Sequence, residues 1–197
     1  MSRSFIYLAS ASPRRRELLR QIGVPFQVIA ASVDESVLPG EAARDYVARV
    51  AAAKAQAGWR SNNDAPVLAA DTTVILDGAI LGKPAGRQEA LDMLLRLSGR
   101  THEVLTAVAL RSGQGTEARI SHSLVTFRRI DSDEAAAYWD TGEPRDKAGA
   151  YAIQGAAAVF IAELRGSYSG VMGLPLFETA ELLQAAGIAY WQAGQPE

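Results

Sequence analysis

Apolar and polar positions along the chain follow two periods, near 2 and near 3.6 residues, and the changes between them mark the predicted elements. Residues 5–9 read as a short buried strand, and residues 12–22 as a helix with Leu18, Leu19 and Ile22 inward and Gly23 as its stop. A strand at 25–30 leads into a loop, 33–40, that carries Asp34 and Glu35. A long alanine-rich helix covers 41–57 and is ended by Gly58, and 61–66 is a polar turn. Residues 67–76 form an apolar strand, Asp77-Gly78 a two-residue hairpin turn, and 79–81 the return strand. A helix at 88–97 precedes two paired strands at 101–110 and 118–129. A helix at 132–139 is capped by Ser132, a short helix or turn occupies 146–153, and 156–164 is a strand. The last helix, 175–186, is stopped by Gly187. Helices alternate irregularly with strands and hairpins, which predicts an α/β protein with a mixed β-sheet rather than a regular doubly wound one.

Three places break this pattern with charge. Ser12 suits a helix N-cap and Pro13 the first helical position, yet Arg14, Arg15 and Arg16 follow at once. The partial positive charge of a helix N-terminus disfavours cations there, so an anion from outside would relieve the conflict. Successive helical residues point ~100° apart, so three arginines cannot share one phosphate. Arg14 and Arg15 are the candidates, with Arg16 solvated or paired to an acid. Lys54 lies four residues after Val50 and seven after Val47, on the inward stripe of its helix. A lysine there is paired, lines a cavity, or snorkels at the stripe's edge.

Asp71 interrupts the apolar strand between Ala69-Ala70 and Val74-Ile75-Leu76. A carboxylate in such a run is paired, metal-bound or catalytic. Counting back from the hairpin turn sets Thr72 opposite Lys83 and brings Lys83 beside Asp71, so a plain Asp71–Lys83 ion pair is the structural alternative. Glu35 offers a second carboxylate for a divalent cation, which takes one or two protein carboxylates plus substrate phosphates. His102 and His122 lack metal-ligand spacing, and His102 reads as a structural hydrogen-bonder. The glycine-rich loop through Ser167-Tyr168-Ser169-Gly170 and Gly173-Leu174-Pro175 lacks the lysine and hydroxyl of a P-loop.

With 197 residues the chain fits one domain, 1–197, and 48% apolar residues suffice for a core. A net charge of −2 gives no reason to expect nucleic-acid or membrane partners, so an anion site must be local. The absence of cysteine excludes disulfides, cysteine-held metals and thiol nucleophiles, and fits a cytoplasmic location. The apolar run near the start is too short for a signal peptide and reads as strand. No stretch approaches the roughly 18–20 apolar residues that span a bilayer.

Taken in order, several phrases resemble the Maf nucleotide pyrophosphatases, and most closely their YhdE-like dTTP/UTP pyrophosphatase branch. They are Leu8-Ala9-Ser10-Ala11-Ser12-Pro13-Arg14-Arg15, Asp34-Glu35, the Lys54 helix, Ala70-Asp71-Thr72, Gly82-Lys83-Pro84 and Ser98-Gly99-Arg100-Thr101-His102. The segment from Gly142-Glu143-Pro144-Arg145-Asp146 to Ile153-Gln154-Gly155 looks like the one that marks the branch, and Val171-Met172-Gly173-Leu174-Pro175-Leu176 follows.

The resemblance implies an elongated mixed sheet with flanking helices, two lobes around a central cleft, similar to the house-cleaning inosine triphosphate pyrophosphatases. It implies hydrolysis of dTTP and UTP, or modified pyrimidine nucleotides, to the monophosphate and pyrophosphate with a divalent cation, Mg or Mn. Asp71 matches the proton acceptor or a metal ligand. Arg14, Thr72 and Gln154 match selectivity positions, and Ser10, Arg15, Glu35, Lys54 and Lys83 match other pocket residues. Glu35 with Asp71 is the implied metal pair. The expected partner is the small-molecule nucleotide, and a homodimer is left open. The competing class is a nucleotide-binding regulator of septum formation without turnover.

Overall fold

The computed structural model describes residues 5–62 and 64–191. The first four residues, and Asn63 of the predicted polar turn, lie outside the described residues. Among those described, the apolar runs fold as β1 (Ile6–Ala9), β2 (Phe26–Ile29), β3 (Val67–Leu76), β4 (Ala79–Leu81), β5 (Thr101–Ser112), β6 (Gly115–Phe127) and β7 (Ile161–Arg165). The helices are α1 (Pro13–Gln21), α2 (Ala43–Ser61), α3 (Arg87–Leu97), α4 (Ser132–Asp140), the short α5 (Tyr168–Met172) and α6 (Leu176–Ala185), all but α5 from 3.6-period segments. The strands form one mixed sheet of order β2-β1-β3-β5-β6-β7, with β4 paired to β3. The predicted α/β class and mixed sheet are therefore observed. No helix among the described residues is long and apolar enough to cross a membrane.

Internal contacts divide the chain into two compact units. The first takes the chain up to Asp71, then 106–121 and the part from Gly173 onward. Here β1 runs parallel to both β2 and β3, in register Ile6↔Phe26 and Tyr7↔Val67. All four β1 residues are buried, as expected for a parallel strand covered on both faces. Gly58 does not end α2 as predicted; the helix continues to Ser61 with Gly58 buried inside it. The reason is packing, because a Cβ at Gly58 would lie 2.8 Å from Val67 Cγ1 and 2.9 Å from Ile29 Cδ1. The glycine lets α2 approach the sheet and carries no stop signal.

The second unit holds 72–105 and 122–172. Its core is one apolar cluster including Val74, Leu94, Leu97, Phe127, Tyr138, Tyr151 and Phe160. Asp77 and Gly78 both adopt positive φ, 53° and 77°, as the tight β3–β4 turn demands. Two sequence expectations change here. The cap of α4 is Asp131, not Ser132: its carboxylate accepts from Asp133 N and Glu134 N in a capping box. Residues 156–160 form a 3-10 turn before β7 instead of strand. The Glu143 carboxylate accepts from Ala156 N at 3.1 Å, which diverts that backbone from a ladder. The predicted short helix or turn near 146–153 is a pair of 3-10 turns, Glu143–Asp146 and Ala148–Ala150, and residues 168–172 of the glycine-rich loop form α5.

Candidate active site

β1 ends at Ala9 and α1 begins at Pro13, so Ser10 to Ser12 form the tight strand-to-helix crossing. Ser12 has the extended backbone of an N-cap, φ −65° and ψ 119°, but its side chain makes no capping bond. No acid stands in the first turn of α1. The Ser10 hydroxyl instead accepts from Ser12 N at 3.2 Å and from Arg15 Nη1 at 3.1 Å. Arg15 Nε donates to the Gly173 carbonyl at 2.7 Å. These are neutral acceptors, so they orient the guanidinium without cancelling its charge. Burial pushes the Arg15 pKa down, and neighbouring Arg14 pushes the same way, while Asp71 and Glu35 pull it back up. The first turn of α1 thus has two adjacent arginines and no acid of its own.

Lys54 lies on the inward face of α2, as its spacing predicts, and is buried at 9% exposure. Its ammonium bridges two carboxylates: Nζ is 2.8 Å from Asp71 Oδ1 and 2.9 Å from Glu35 Oε1. Asp71 is itself buried at 6% in the middle of β3. Burial raises its carboxyl pKa above the ordinary range, and the Lys54 charge and hydrogen bond oppose that, helped by Arg15. The lysine therefore favours the ionised carboxylate at a position that solvent exclusion would neutralise. Glu35, from the loop before α2, is the exposed member of the trio.

The expected Asp71–Lys83 approach is not made through the hairpin ladder. Pairing of β3 with β4 stops at Val74↔Leu81, short of the Thr72–Lys83 register. Past that point Gly82 gives its carbonyl to Gly149 N at 3.0 Å, and Pro84 has no N–H to donate. Lys83 sits exposed in the loop that follows, and the ion partner of Asp71 is Lys54. Thr72 follows Asp71 directly on β3 and is half-buried. Gln154 is exposed between buried Ile153 and half-buried Gly155, on a turn gripped by Glu143 and Tyr138. Tyr138 OH donates to Glu143 Oε1 at 2.6 Å and accepts from Ala152 N at 3.1 Å.

His102 is structural, as its isolation in the sequence suggests. It is 2% exposed, hydrogen-bonds Tyr151 OH through Nε2 at 2.8 Å, and packs edge-on against Phe127 and Tyr151. Burial alone pushes its pKa down to about 4. Sequence reasoning missed the Gly173 carbonyl that orients Arg15, since a backbone acceptor leaves no side-chain signal. Nor did it single out Glu41 and Arg49, whose pairing depends on how the loop folds back on α2.

The point on which the Asp71 and Glu35 carboxylates converge is held by the Lys54 ammonium; a hard divalent cation, which takes one or two protein carboxylates plus waters and substrate phosphates, would share these carboxylates with the lysine. No group of three potential metal-ligating side chains occurs among the described residues.

A protein from Aromatoleum aromaticum called dTTP/UTP pyrophosphatase is 57% identical over 92% of this chain and 95% of its own. Proteins of the same name from Methylococcus capsulatus and Burkholderia pseudomallei are 58% and 54% identical, covering 93% and 94% of this chain and 91% and 95% of theirs. Among solved structures, the Staphylococcus aureus Ham1 protein matches with a TM-score of 0.43 and 16% identity, over 66% of this chain and 73% of that one, too slight a likeness to argue from. The profile described as Maf-like protein matches residues 5–186, which takes in every candidate site residue above. With that match and relatives this similar along nearly its whole length, the chain belongs to the Maf-like protein family.

Proposed function

We propose that this protein is a nucleoside triphosphate pyrophosphatase that hydrolyses dTTP and UTP to the monophosphate and pyrophosphate. The observation that carries the reading is the buried Lys54 bridging Asp71 and Glu35, in the same unit as the Arg14-Arg15 helix start. Relatives of more than half identity with that name support the substrate. In this reading both units belong to one catalytic domain, and the cysteine-free chain works in the cytoplasm.

Hydrolysis requires water to attack the α-phosphorus while the bond to the pyrophosphate oxygen breaks. The transition state spreads charge over phosphoryl oxygens, so positioned cations supply most of the stabilisation. Arg14 and Arg15 grip the phosphates at the N-terminus of α1, where oriented N–H groups and the helix dipole also favour anions. Ser10 orients Arg15. Lys54 steadies both carboxylates, and Lys83 contributes a further positive charge. Asp71 accepts the proton of the attacking water; a carboxyl raised by burial is a stronger base than an ordinary one. Glu35 would hold Mg²⁺ or Mn²⁺, with Asp71 as the second ligand where it does not serve as the base, and the bound cation would supply neutralisation of phosphate charge. Gln154 and Thr72 offer an amide and a hydroxyl to the base edge, and a pyrimidine imide matches both.

The test is release of pyrophosphate from dTTP and UTP with Mg²⁺, set against CTP and the purine triphosphates, 7-methyl-GTP included. Metal-dependent release that favours dTTP and UTP is the expected result. Tight nucleotide binding without release would make the protein a sensor, and preference for 7-methyl-GTP would overturn the substrate assignment.

A further inference from the structure

Glu35 stands on a segment that hydrophobic burial does not fix. No residue from 30 to 46 is buried, and Val37 and Leu38 are 46% and 50% exposed. Its place beside Lys54 therefore depends on polar contacts, and these converge on one arginine. Arg49 Nε and Nη2 grip the two oxygens of Glu41 at 2.5 and 2.8 Å. The same Nη2 donates to the Ser36 carbonyl at 2.8 Å. Glu41 Oε2 in turn accepts from Leu38 N at 3.0 Å. One turn before Arg49, Tyr46 OH donates to the Glu35 carbonyl at 3.1 Å. The Arg49 guanidinium also lies 5.7 Å from the centre of the Tyr46 ring.

Helix α2 thus holds the loop at consecutive carbonyls, those of Glu35 and Ser36, while Lys54 of the same helix takes the Glu35 carboxylate. A planar fork that meets a carboxylate at both oxygens fixes direction as well as distance. We propose that Arg49, clamped to Glu41 and seconded by Tyr46, is the positioning residue that sets Glu35 against Lys54. Arg49 acts through Glu35, so this inference rests on the role given to Glu35 under the proposed function. The Arg49 bond, with that from Leu38 N, lowers the Glu41 carboxyl to about 2, so near neutral pH Glu41 meets Arg49 as a carboxylate.

The experiment compares Arg49→Met, Arg49→Lys, Glu41→Gln and Glu35→Gln with the unaltered protein. Amide hydrogen exchange over residues 36–41 is read without metal or nucleotide, alongside Tm and the Mg²⁺ dependence of pyrophosphate release. Arg49→Met and Glu41→Gln are expected to speed exchange in that segment by about tenfold, with no change in the β3 amides. They should raise the apparent KM for Mg²⁺ by about tenfold and leave kcat at saturating metal within about twofold, since a misplaced ligand weakens binding before chemistry. Arg49→Lys keeps the charge but not the fork and should fall between. A segment as protected in both Arg49→Met and Glu41→Gln as in the unaltered protein would overturn the clamp. If Glu35→Gln alone leaves the Mg²⁺ dependence unchanged, the role given to Glu35 falls and the functional half of the proposal with it. Exchange in Arg49→Met decides separately whether Arg49 orders the loop.

Discussion

Asp71 and His102 are both polar residues deep in apolar surroundings, and burial shifts both pKa values against the charged form, yet only one reads as chemistry. His102, 2% exposed, gives way to its environment. Its pKa falls to about 4 and it stays neutral, with Nε2 bonded to Tyr151, edge-on aromatic contacts, and Nδ1 buried without a hydrogen-bond partner. Asp71, 6% exposed, is pushed towards its neutral form by the same cause, but Lys54 and Arg15 work against the shift. The fold thus sets two cations against the neutralising effect of burial at Asp71, and none at His102. Burial of a polar group is ordinary; burial with cations set to oppose its neutralisation is the mark of a site.

Experiments can break that contrast. The largest effect is expected from Lys54→Met, which keeps the length of the side chain and removes the charge. Asp71 then loses its ion partner and keeps only Arg15 to oppose burial, and stability should fall by about 3 kcal/mol in chemical denaturation. Turnover should fall by about 10³-fold or more in the protein that remains folded. His102→Ala should cost a similar ~3 kcal/mol, from the lost ring and the abandoned Tyr151 hydroxyl. Its turnover per folded molecule, however, should stay within about twofold. Loss of activity in folded His102→Ala would erase the distinction between the two residues.

A smaller effect concerns pH. The folded pKa of His102 lies below its ordinary 6.5, so the stability it contributes is complete above pH 6.5 and is lost as pH falls towards about 4. A His102→Gln variant should show a flatter Tm-against-pH curve in that window. Asp71 has the opposite sign: its neutral form is the one the fold favours, so its contribution fades as pH rises through its raised pKa. The smallest effect is expected at a helix end outside both regions. Asp131→Ala should cost about 1 kcal/mol through loss of the α4 capping box and leave kcat/KM unchanged.

Much of this was legible in the chain itself. The strand at 67–76, its Asp77-Gly78 turn and the inward Lys54 follow from local periodicity, and each stands where that periodicity puts it. What failed was extrapolation past a local signal. Counting on from the hairpin placed Lys83 by a ladder that ends at Leu81, because Gly149 takes the Gly82 carbonyl. Gly58 looked like a helix stop because glycine serves both as a stop and as a close-packing point, and only the approach of Val67 and Ile29 distinguishes them. Residues 156–160 have strand composition, but Glu143, thirteen residues before Ala156, takes their amides. The Lys54–Glu35 and Lys54–Asp71 bridges depend on tertiary placement of a loop and a strand against α2, which spacing does not contain.

The central claim is that Asp71, whose neutralisation by burial Lys54 and Arg15 oppose, does chemistry, and Asp71→Asn tests it directly. That change preserves shape and leaves Lys54 its bond to Glu35, so Tm should stay within about 3 °C of the unaltered protein. Pyrophosphate release from dTTP and UTP with Mg²⁺ should fall by about 10³-fold, within the range that removing a general base produces. Near-normal release from folded Asp71→Asn would contradict the account, and would reduce the Lys54–Asp71 pair to a structural ion pair.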